Sequence, residues 1–286
     1  MVEVVARARG PYSLALTARH GSDATRLFRD GVLEALLPAG GGVERAAARQ
    51  FPDGSLRLVA DSEESLLAMR FVLGIDADHS EFLRRFRDDP MLGPATRALA
   101  GLRPLRVATV AQALLRALCG QLIDSKRARF LERRIVRAVM PAHGALHAPP
   151  TAAALGALAP AELRRLGLHA RRGATLVRVC ASLDLERLRD LPAETVAARL
   201  GRERGLGLWS VGVVALEGLG RYYLGLVGDL GLVKLLSSMR GRWVEGWETE
   251  ELLAPYGEWA GLASVVMLAA WTRGLLPVSP AARRAA

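Results

Sequence analysis

Hydrophobic residues recur at helical spacing through most of the chain after residue 60, which predicts a largely α-helical fold there. A first helix is predicted to begin at Ser62, because Ser62, Glu63 and Glu64 are typical of a helix N-terminus and apolar residues follow them up to Leu73. Further segments with the same periodicity are predicted to be helices. They cover residues 81–87, 110–119, 125–139, 160–166, 171–183, 192–200, 208–219, 230–239 and 262–271.

Turn-forming residues punctuate the chain between Val2 and Ala60 at intervals of about ten residues. This spacing is typical of short strands joined in an antiparallel meander, although segment 32–37 also fits a helix. The turn sequences are Gly10-Pro11, His20-Gly21-Ser22, Asp30-Gly31, Gly40-Gly41-Gly42 and Pro52-Asp53-Gly54.

Together these patterns predict an α+β fold with two parts. Residues 1–75 are expected to form a small antiparallel β-rich domain, and residues 76–286 a mostly α-helical domain. A chain of 286 residues that is 51% hydrophobic can bury a substantial core. We expect the tail at 278–286 to be frayed.

The most specific local pattern lies between the helices predicted at 192–200 and 208–219. Gly205, Leu206 and Gly207 separate them. Glycines permit a tight turn and leave no side chain to hold a ligand away, so N–H groups at the start of the second helix can bind a phosphate. This is a helix-hairpin-helix geometry, for which the alternative is an ordinary helical hairpin with a glycine cap.

Asp229 directly precedes the apolar stripe of the helix predicted at 230–239, so it is expected to be an N-cap. Aspartate is a common N-cap residue and needs no further role there. The same position favours a negative charge, because helix-end N–H groups and the macrodipole stabilise an anion. In a DNA-facing cleft, such a carboxylate can stabilise positive charge on a deoxyribose and orient water.

The charge of the chain favours a polyanionic partner. The net charge is +10 and the isoelectric point is near 10.7, which suits phosphate contacts. We expect no membrane association, because no apolar run approaches about 18 residues, and a cytoplasmic location, because residues 1–10 lack a signal-peptide core.

Cysteine and histidine usage gives no sign of a metal or a cofactor. Cys119 and Cys180 form no Cys-x-x-Cys pair and are too few for a four-cysteine iron–sulfur cluster. The five histidines are scattered, and only His143 and His147 lie near each other. We expect two buried thiols, no metal and no cofactor.

The segment Gly205-Leu206-Gly207-Leu208-Trp209-Ser210, followed by Asp229, resembles the signature of the helix-hairpin-helix DNA glycosylase superfamily. The bacterial 3-methyladenine DNA glycosylase II type is the most similar branch. Upstream, Gly120-Gln121-Leu122 matches the GQ segment that this branch places at the DNA. The resemblance covers roughly residues 70–277 and implies a helix-hairpin-helix at 192–219 within a glycosylase domain.

The resemblance implies roles for individual residues. Asp229 would be the essential carboxylate, and Gly205, Leu206, Gly207 and Ser210 would bind the DNA backbone 3′ of the lesion. Gln121 would lie at the DNA. Leu122 would be a wedge that fills the gap left by a flipped nucleotide, although packing beside Leu118 and Cys119 is an equal alternative. Arg171 and Arg172 are candidate phosphate contacts at the start of a helix.

Trp209 occupies the position that holds a Schiff-base lysine in the branches of the family that also cut the DNA backbone. The whole chain contains only two lysines, Lys126 and Lys234. Arginine stays protonated and is a poor Schiff-base nucleophile. The resemblance therefore implies a monofunctional glycosylase that uses water.

The base pocket is where the chain departs from the family pattern. Trp209, Trp271 and Tyr222 are the candidate pocket residues, with core packing of Trp209 and a surface position of Tyr222 as alternatives. The paired aromatic residues of the last family helix are absent, since Ala269 and Ala270 precede Trp271. Two further departures are Val213 in place of a tyrosine, and Glu203-Arg204 in place of an apolar residue and a proline.

Three functions fit the sequence. The first is a glycosylase that excises alkylated purines such as 3-methyladenine and 7-methylguanine, acting as a monomer on double-stranded DNA with damaged bases. The second is a non-catalytic helix-hairpin-helix protein that binds damaged or bent DNA. The third, a glycosylase for a neutral base, requires a proton donor to the leaving base, and the sequence identifies none.

Overall fold

The computed structural model describes residues 1–276, so the tail expected to fray at 278–286 lies outside the described residues. The N-terminal part contains a five-stranded antiparallel sheet in the order β1-β5-β4-β3-β2. Its strands are β1 (Val2–Ala6), β2 (Arg26–Arg29), β3 (Val32–Ala39), β4 (Gly42–Gln50) and β5 (Leu56–Ala60). The predicted antiparallel β-rich region is confirmed.

Two details of the sheet differ from the sequence predictions. Strands β2 to β5 form the expected meander, but β1 pairs with β5 instead of β2, so the meander prediction is wrong for β1. The helical interpretation of segment 32–37 is also wrong. This segment lies in β3, which pairs with β2 on one edge and β4 on the other.

The described remainder is mostly helical, as predicted. The α-helices are α1 (Leu14–Ala18), α2 (Glu63–Leu73), α3 (Ser80–Arg85), α4 (Gly93–Ala98), α5 (Val110–Gly120), α6 (Ser125–Val139), α7 (Ala152–Gly156), α8 (Pro160–Arg165), α9 (Ala170–Ser182), α10 (Ala193–Gly201), α11 (Leu208–Val213), α12 (Leu230–Arg240), α13 (Thr249–Leu253) and α14 (Ala260–Arg273). Three 3-10 turns cover Glu186–Asp190, Gly246–Glu248 and Ala254–Trp259, and strands β6 (Ala142–His143) and β7 (Leu146–His147) form a small hairpin.

The predicted helices agree with this structure to within a few residues, with one change of type. The helix predicted at 208–219 is α-helical only over α11, and it continues as a π-helix over Val214–Gly218. The π-helix packs against α5, where a Cβ at Gly218 would lie only 2.8 Å from the Ala113 Cβ. Short elements such as α1 and α7 escaped prediction, because five residues are too few to show a helical period.

Two large hydrophobic clusters organise the described chain, and a small third one joins Val233 and Leu236 to Val244. One lies between the sheet and α2, with Leu33, Leu58 and Met69 at its centre. The other surrounds α5, whose Leu114 and Leu118 are fully buried. The end of α5 therefore projects the segment after Gly120 from a rigid core. The domain boundary near residue 75 stays a prediction.

The most apolar stretch of the described chain is part of this core. By length and composition alone, Gly246–Arg273 is long and apolar enough to cross a membrane, although half of its apolar window is buried inside the protein. The backbone also breaks at Gly257, where φ is 49° and ψ is −122°. Within α14, Leu262 and Met267 are buried in the helical cluster, so burial in the protein accounts for the apolar character.

A largely buried ionic cluster joins the N-terminal part to the helices. Arg116 on α5 lies 2.7 Å from Asp23, 2.8 Å from Glu132 on α6 and 2.5 Å from Glu217 on the π-helix. Burial opposes ionisation of Asp23, but Arg26 and Arg116 outweigh it and lower the pKa of this carboxyl group. One guanidinium thus holds three carboxylates from separate segments.

We predict that Arg116→Leu destabilises the fold by about 3–5 kcal/mol, because it leaves buried carboxylates without their cation. Urea denaturation measures the free energy of unfolding. The matched control is Arg57→Leu, which removes an exposed ion pair with Glu3 and is expected to change that free energy much less. Equal losses in the two variants would contradict a special role for the buried cluster.

Candidate active site

Asp229 is the N-cap of α12, as predicted, and it also contacts the hairpin. Its Oδ1 accepts hydrogen bonds from the N–H groups of Gly231 at 2.8 Å and Leu232 at 3.4 Å. Its Oδ2 accepts a 3.0 Å bond from the indole Nε1 of Trp209. N–H donors on both oxygens complement the negative charge and fix the carboxylate beside the hairpin.

Trp209 brings three separate segments together. It lies in the first turn of α11 and is half-buried against the helical core. Its indole N–H points to Asp229, while the far edge of its ring faces Gly120, where a Cβ would lie only 2.6 Å from the indole. The candidate acid, the hairpin and the end of α5 thus converge on one side chain.

The predicted hairpin is formed by α10, a turn at 202–207 and α11. Gly205 adopts a φ of +95°, and a Cβ there would lie 2.5 Å from Thr175 Oγ1 on α9. Gly207 is the N-cap of α11 and is exposed, as is Leu208. The first N–H groups of a helix have no partner within that helix, so this end can receive an anion. Leu206 is buried, which leaves only its backbone for such a contact.

Gln121 ties the end of α5 to the hairpin. Its side-chain Nε2 donates to the carbonyl of Gly205 and to Ser210 Oγ, both at 2.9 Å. Ser210 itself is buried, so its hydroxyl is engaged inside the protein. Gln121 therefore sets the position of the hairpin turn relative to the segment that follows α5.

Leu122 projects from this junction into solvent. It is 95% exposed, and its φ of +56° lies in the left-handed region that a leucine rarely adopts. Leu118 and Cys119 are fully buried in the helical core, whereas Leu122 is almost fully exposed. The alternative of core packing beside them is therefore wrong. The wedge role stays a prediction.

Helix α9 supports the hairpin turn through a residue that the sequence interpretation missed. Arg178 pairs with Glu203 and donates a 2.6 Å hydrogen bond to the carbonyl of Arg204. Glu203 and Arg204 are two positions at which the chain departs from the family pattern. In the sequence, Arg178 stands three residues after Thr175 on the same predicted helix. Nothing in the sequence, however, relates this helix to the segment 205–207.

Arg171 and Arg172 lie in the first turn of α9, and Arg171 is exposed. Arg172 lies near the end of α5, where burial raises the pKa of the Cys119 thiol and the arginine charge opposes that rise. The two arginines thus stand on the helix that supports the hairpin. Phosphate binding by them stays a prediction.

Trp271 lies on the last described helix, α14. Leu268, one helical turn earlier on α14, packs close to Gly231, where a Cβ would lie 2.5 Å from Leu268 Cδ2. Residues three apart share a helix face, so Trp271 belongs to the face that α14 turns towards the start of α12.

Tyr222 lies in an interior cluster. Its hydroxyl is 2.9 Å from His79 Nε2 and accepts a 3.0 Å hydrogen bond from Arg106, and its ring stacks on Trp259. Among the described residues, no hydrogen bond or ring contact joins Tyr222 to Asp229 or Trp209. Burial, together with Arg103 and Arg106, lowers the pKa of His79 to about 3, so this histidine is neutral and no ready proton donor.

A cavity of about 530 Å³ lies on another side of the hairpin. Leu206, Leu208 and Val211 line it together with Tyr223 and Leu253, so its walls are mainly apolar. Neither Asp229 nor Trp209 contributes to the walls. The cavity is therefore separate from the carboxylate.

No family model matches the chain, and no curated protein matches its sequence. Solved structures do match it over nearly the full length of both chains. The 3-methyladenine DNA-glycosylase from Archaeoglobus fulgidus has a TM-score of 0.81 at 18% identity, over 96% of this chain and 99% of that one.

Two further similar structures contain DNA. The Clostridium acetobutylicum 8-oxoguanine glycosylase/lyase, in complex with double-stranded DNA containing cytosine opposite 8-oxoG, has a TM-score of 0.77 at 15% identity, over 95% of this chain and 96% of that one. MBOgg1 in complex with a low-affinity DNA ligand has a TM-score of 0.74 at 15% identity, over 94% and 95%. The chain therefore has the fold of the helix-hairpin-helix DNA glycosylases.

Proposed function

We propose that this protein is a monofunctional DNA glycosylase that excises alkylated purines of the 3-methyladenine and 7-methylguanine type. The observation that carries the proposal is the hydrogen bond from Trp209 on the hairpin helix to the capping carboxylate of Asp229. It joins a backbone anion site to an acid within one rigid unit. The partner is double-stranded DNA that contains damaged bases.

The chemistry requires a nucleotide outside the helical stack, because a stacked base hides its glycosidic bond. Alkylation at a purine ring nitrogen makes the base cationic, so it leaves with little need for protonation. Asp229 then stabilises the oxocarbenium-like sugar, as carboxylates do in glycoside hydrolysis. A neutral base would need a proton donor, and the neutral, buried His79 is a poor one.

Two relatives bear on the finer assignment. One structure with this fold is a 3-methyladenine DNA-glycosylase, and another is an 8-oxoguanine glycosylase/lyase. Lyase chemistry through a Schiff base needs an amine, but this chain has Trp209 directly after the G-x-G-x stretch. These points favour hydrolysis of the N-glycosidic bond without strand cleavage.

Contacts with the DNA backbone are assigned to the hairpin turn, with Gly207 and Leu208 at its open end, and to Arg171 and Arg172 on α9. Gln121 holds the turn in place and Leu122 enters the duplex beside it. The net charge of +10 adds a general attraction to phosphates. The cytoplasmic location and the monomeric state stay predictions.

We predict that Asp229→Asn lowers release of 3-methyladenine or 7-methylguanine from alkylated duplex DNA by about 100-fold or more, because the negative charge beside the sugar is lost. Asparagine is also a good N-cap, so the helix should persist. Released bases are measured by chromatography under single-turnover conditions.

The control for this variant is Asp184→Asn, which changes another carboxylate that accepts a backbone N–H and should leave release unchanged. Equal release by wild type and Asp229→Asn would remove Asp229 from the mechanism. Tight binding to an abasic-site analogue without release of any base would instead favour the non-catalytic DNA-binding protein.

The absence of a lysine at position 209 predicts that the enzyme forms no covalent intermediate with DNA. Sodium borohydride should trap no protein–DNA complex, and the abasic product should remain uncut until alkali is added. A trapped complex would contradict the monofunctional assignment. Lys126→Ala and Lys234→Ala would then identify the amine.

We predict that Leu122→Ala slows base excision about tenfold, because an alanine fills less of the gap in the stack and loses much of the apolar burial of leucine. Leu67 on α2 is also exposed, at 64%, so Leu67→Ala is the control and should excise at the wild-type rate. The single-turnover rate on alkylated duplex DNA is the measurement. Similar rates for all three proteins would exclude the wedge.

A further inference from the structure

The segment Gly241–Glu248, here named the Trp247 loop, runs back along α12 towards Asp229. It starts at the C-terminal end of α12, and near its middle the N–H of Val244 donates to Ser237 Oγ. At its far end Gly246 lies against Gly228, where a Cβ would be 3.2 Å from the Gly228 Cα. The loop therefore ends beside the residue that precedes the candidate catalytic acid.

Hydrogen bonds and ion pairs fix the backbone of this loop. Glu248 binds Arg240 and Arg242, each at 2.5 Å, and accepts a 2.7 Å bond from the N–H of Glu245. These partners, with Arg242 first, lower the pKa of Glu248 to about 2, so the cluster persists at neutral and mildly acidic pH. Thr249 Oγ1 accepts a 2.8 Å bond from the N–H of Gly228.

Two large aromatic side chains stand exposed on this fixed loop. Trp247 is 66% exposed at the end near Asp229, and Trp243 is 59% exposed at the other end. Among the described residues, neither indole takes part in a ring-to-ring contact. An indole held out from a rigid backbone contributes little to the core, and it offers a preorganised flat surface to a ligand.

The charges around Trp247 select the kind of ligand. Residues 240–251 carry four glutamates and two arginines, and both arginines are paired with Glu248 or Glu251. With both arginines paired, this surface has no free cation to bind a phosphate, unlike the exposed arginines near the hairpin. A nucleobase face suits it better, because every base offers a π-surface for stacking on an aromatic side chain.

We propose that Trp247 stacks on a nucleobase of the DNA strand that carries the extruded nucleotide, next to Asp229. The inference rests on the proposed function for the identity of the DNA but not for the contact itself. It adds an aromatic contact from a segment other than the hairpin. Trp243, at the far end of the loop, makes no such contact.

The test compares wild type, Trp247→Ala, Trp247→Phe and Trp243→Ala in binding a duplex that contains an abasic-site analogue flanked by 2-aminopurine. Stacking on an aromatic ring quenches 2-aminopurine fluorescence. We expect Trp247→Ala to bind about tenfold more weakly and to lose quenching. Trp247→Phe should retain both, and Trp243→Ala should match wild type. Thermal melting confirms that the variants are folded.

Each result decides the inference separately from catalysis. If Trp247→Ala binds and quenches like wild type, or if Trp243→Ala is impaired equally, the proposed contact is wrong whatever the enzyme excises. If wild type binds the analogue through Trp247 but releases no base from alkylated DNA, the glycosylase proposal fails while the contact stands.

Discussion

The hydrogen bond between the Trp209 indole and Asp229 is the interaction on which the candidate site depends. The indole reaches Asp229 with its N–H only because its opposite edge rests on Gly120, where any side chain would collide with the ring. One side chain thus sets the distance between the hairpin, the end of α5 and the start of α12. A lysine at this position would supply an amine for lyase chemistry but would lose this rigid spacer.

Several arginines of this chain are buried and stabilise the fold. Arg26, Arg103 and Arg106 are nearly or fully buried, and Arg103 donates to the carbonyls of Gly74, Ala77 and Pro11. Their guanidinium groups are buried and donate hydrogen bonds to backbone carbonyls, so they are not available to a phosphate. The isoelectric point therefore overstates the positive charge that the surface offers to a polyanion, because part of the arginine content is buried.

Features of the site that involve residues adjacent in sequence are predictable from the sequence. Asp229 is predictable as an N-cap because a capping residue and its helix are adjacent in sequence, and the glycine turn of the hairpin is predictable for the same reason. The hydrogen bond from Gln121 to Ser210 joins residues that are far apart in sequence, and no hydrophobic pattern predicts such a pair. Apolar character alone left Leu122 equally suited to the core, and only the left-handed backbone after α5 turns it outwards.

The tether between Gln121 and the hairpin turn has a consequence for how DNA would be searched. Because Gln121 bonds the hairpin turn and directly precedes Leu122, the distance between the turn and Leu122 is fixed. In the proposed function, this fixed spacing would let the phosphate bound at the turn determine which base pair Leu122 contacts. A substitution that lengthened or loosened the Gln121 link would then change the register between the bound phosphate and the base pair tested, without altering either contact itself.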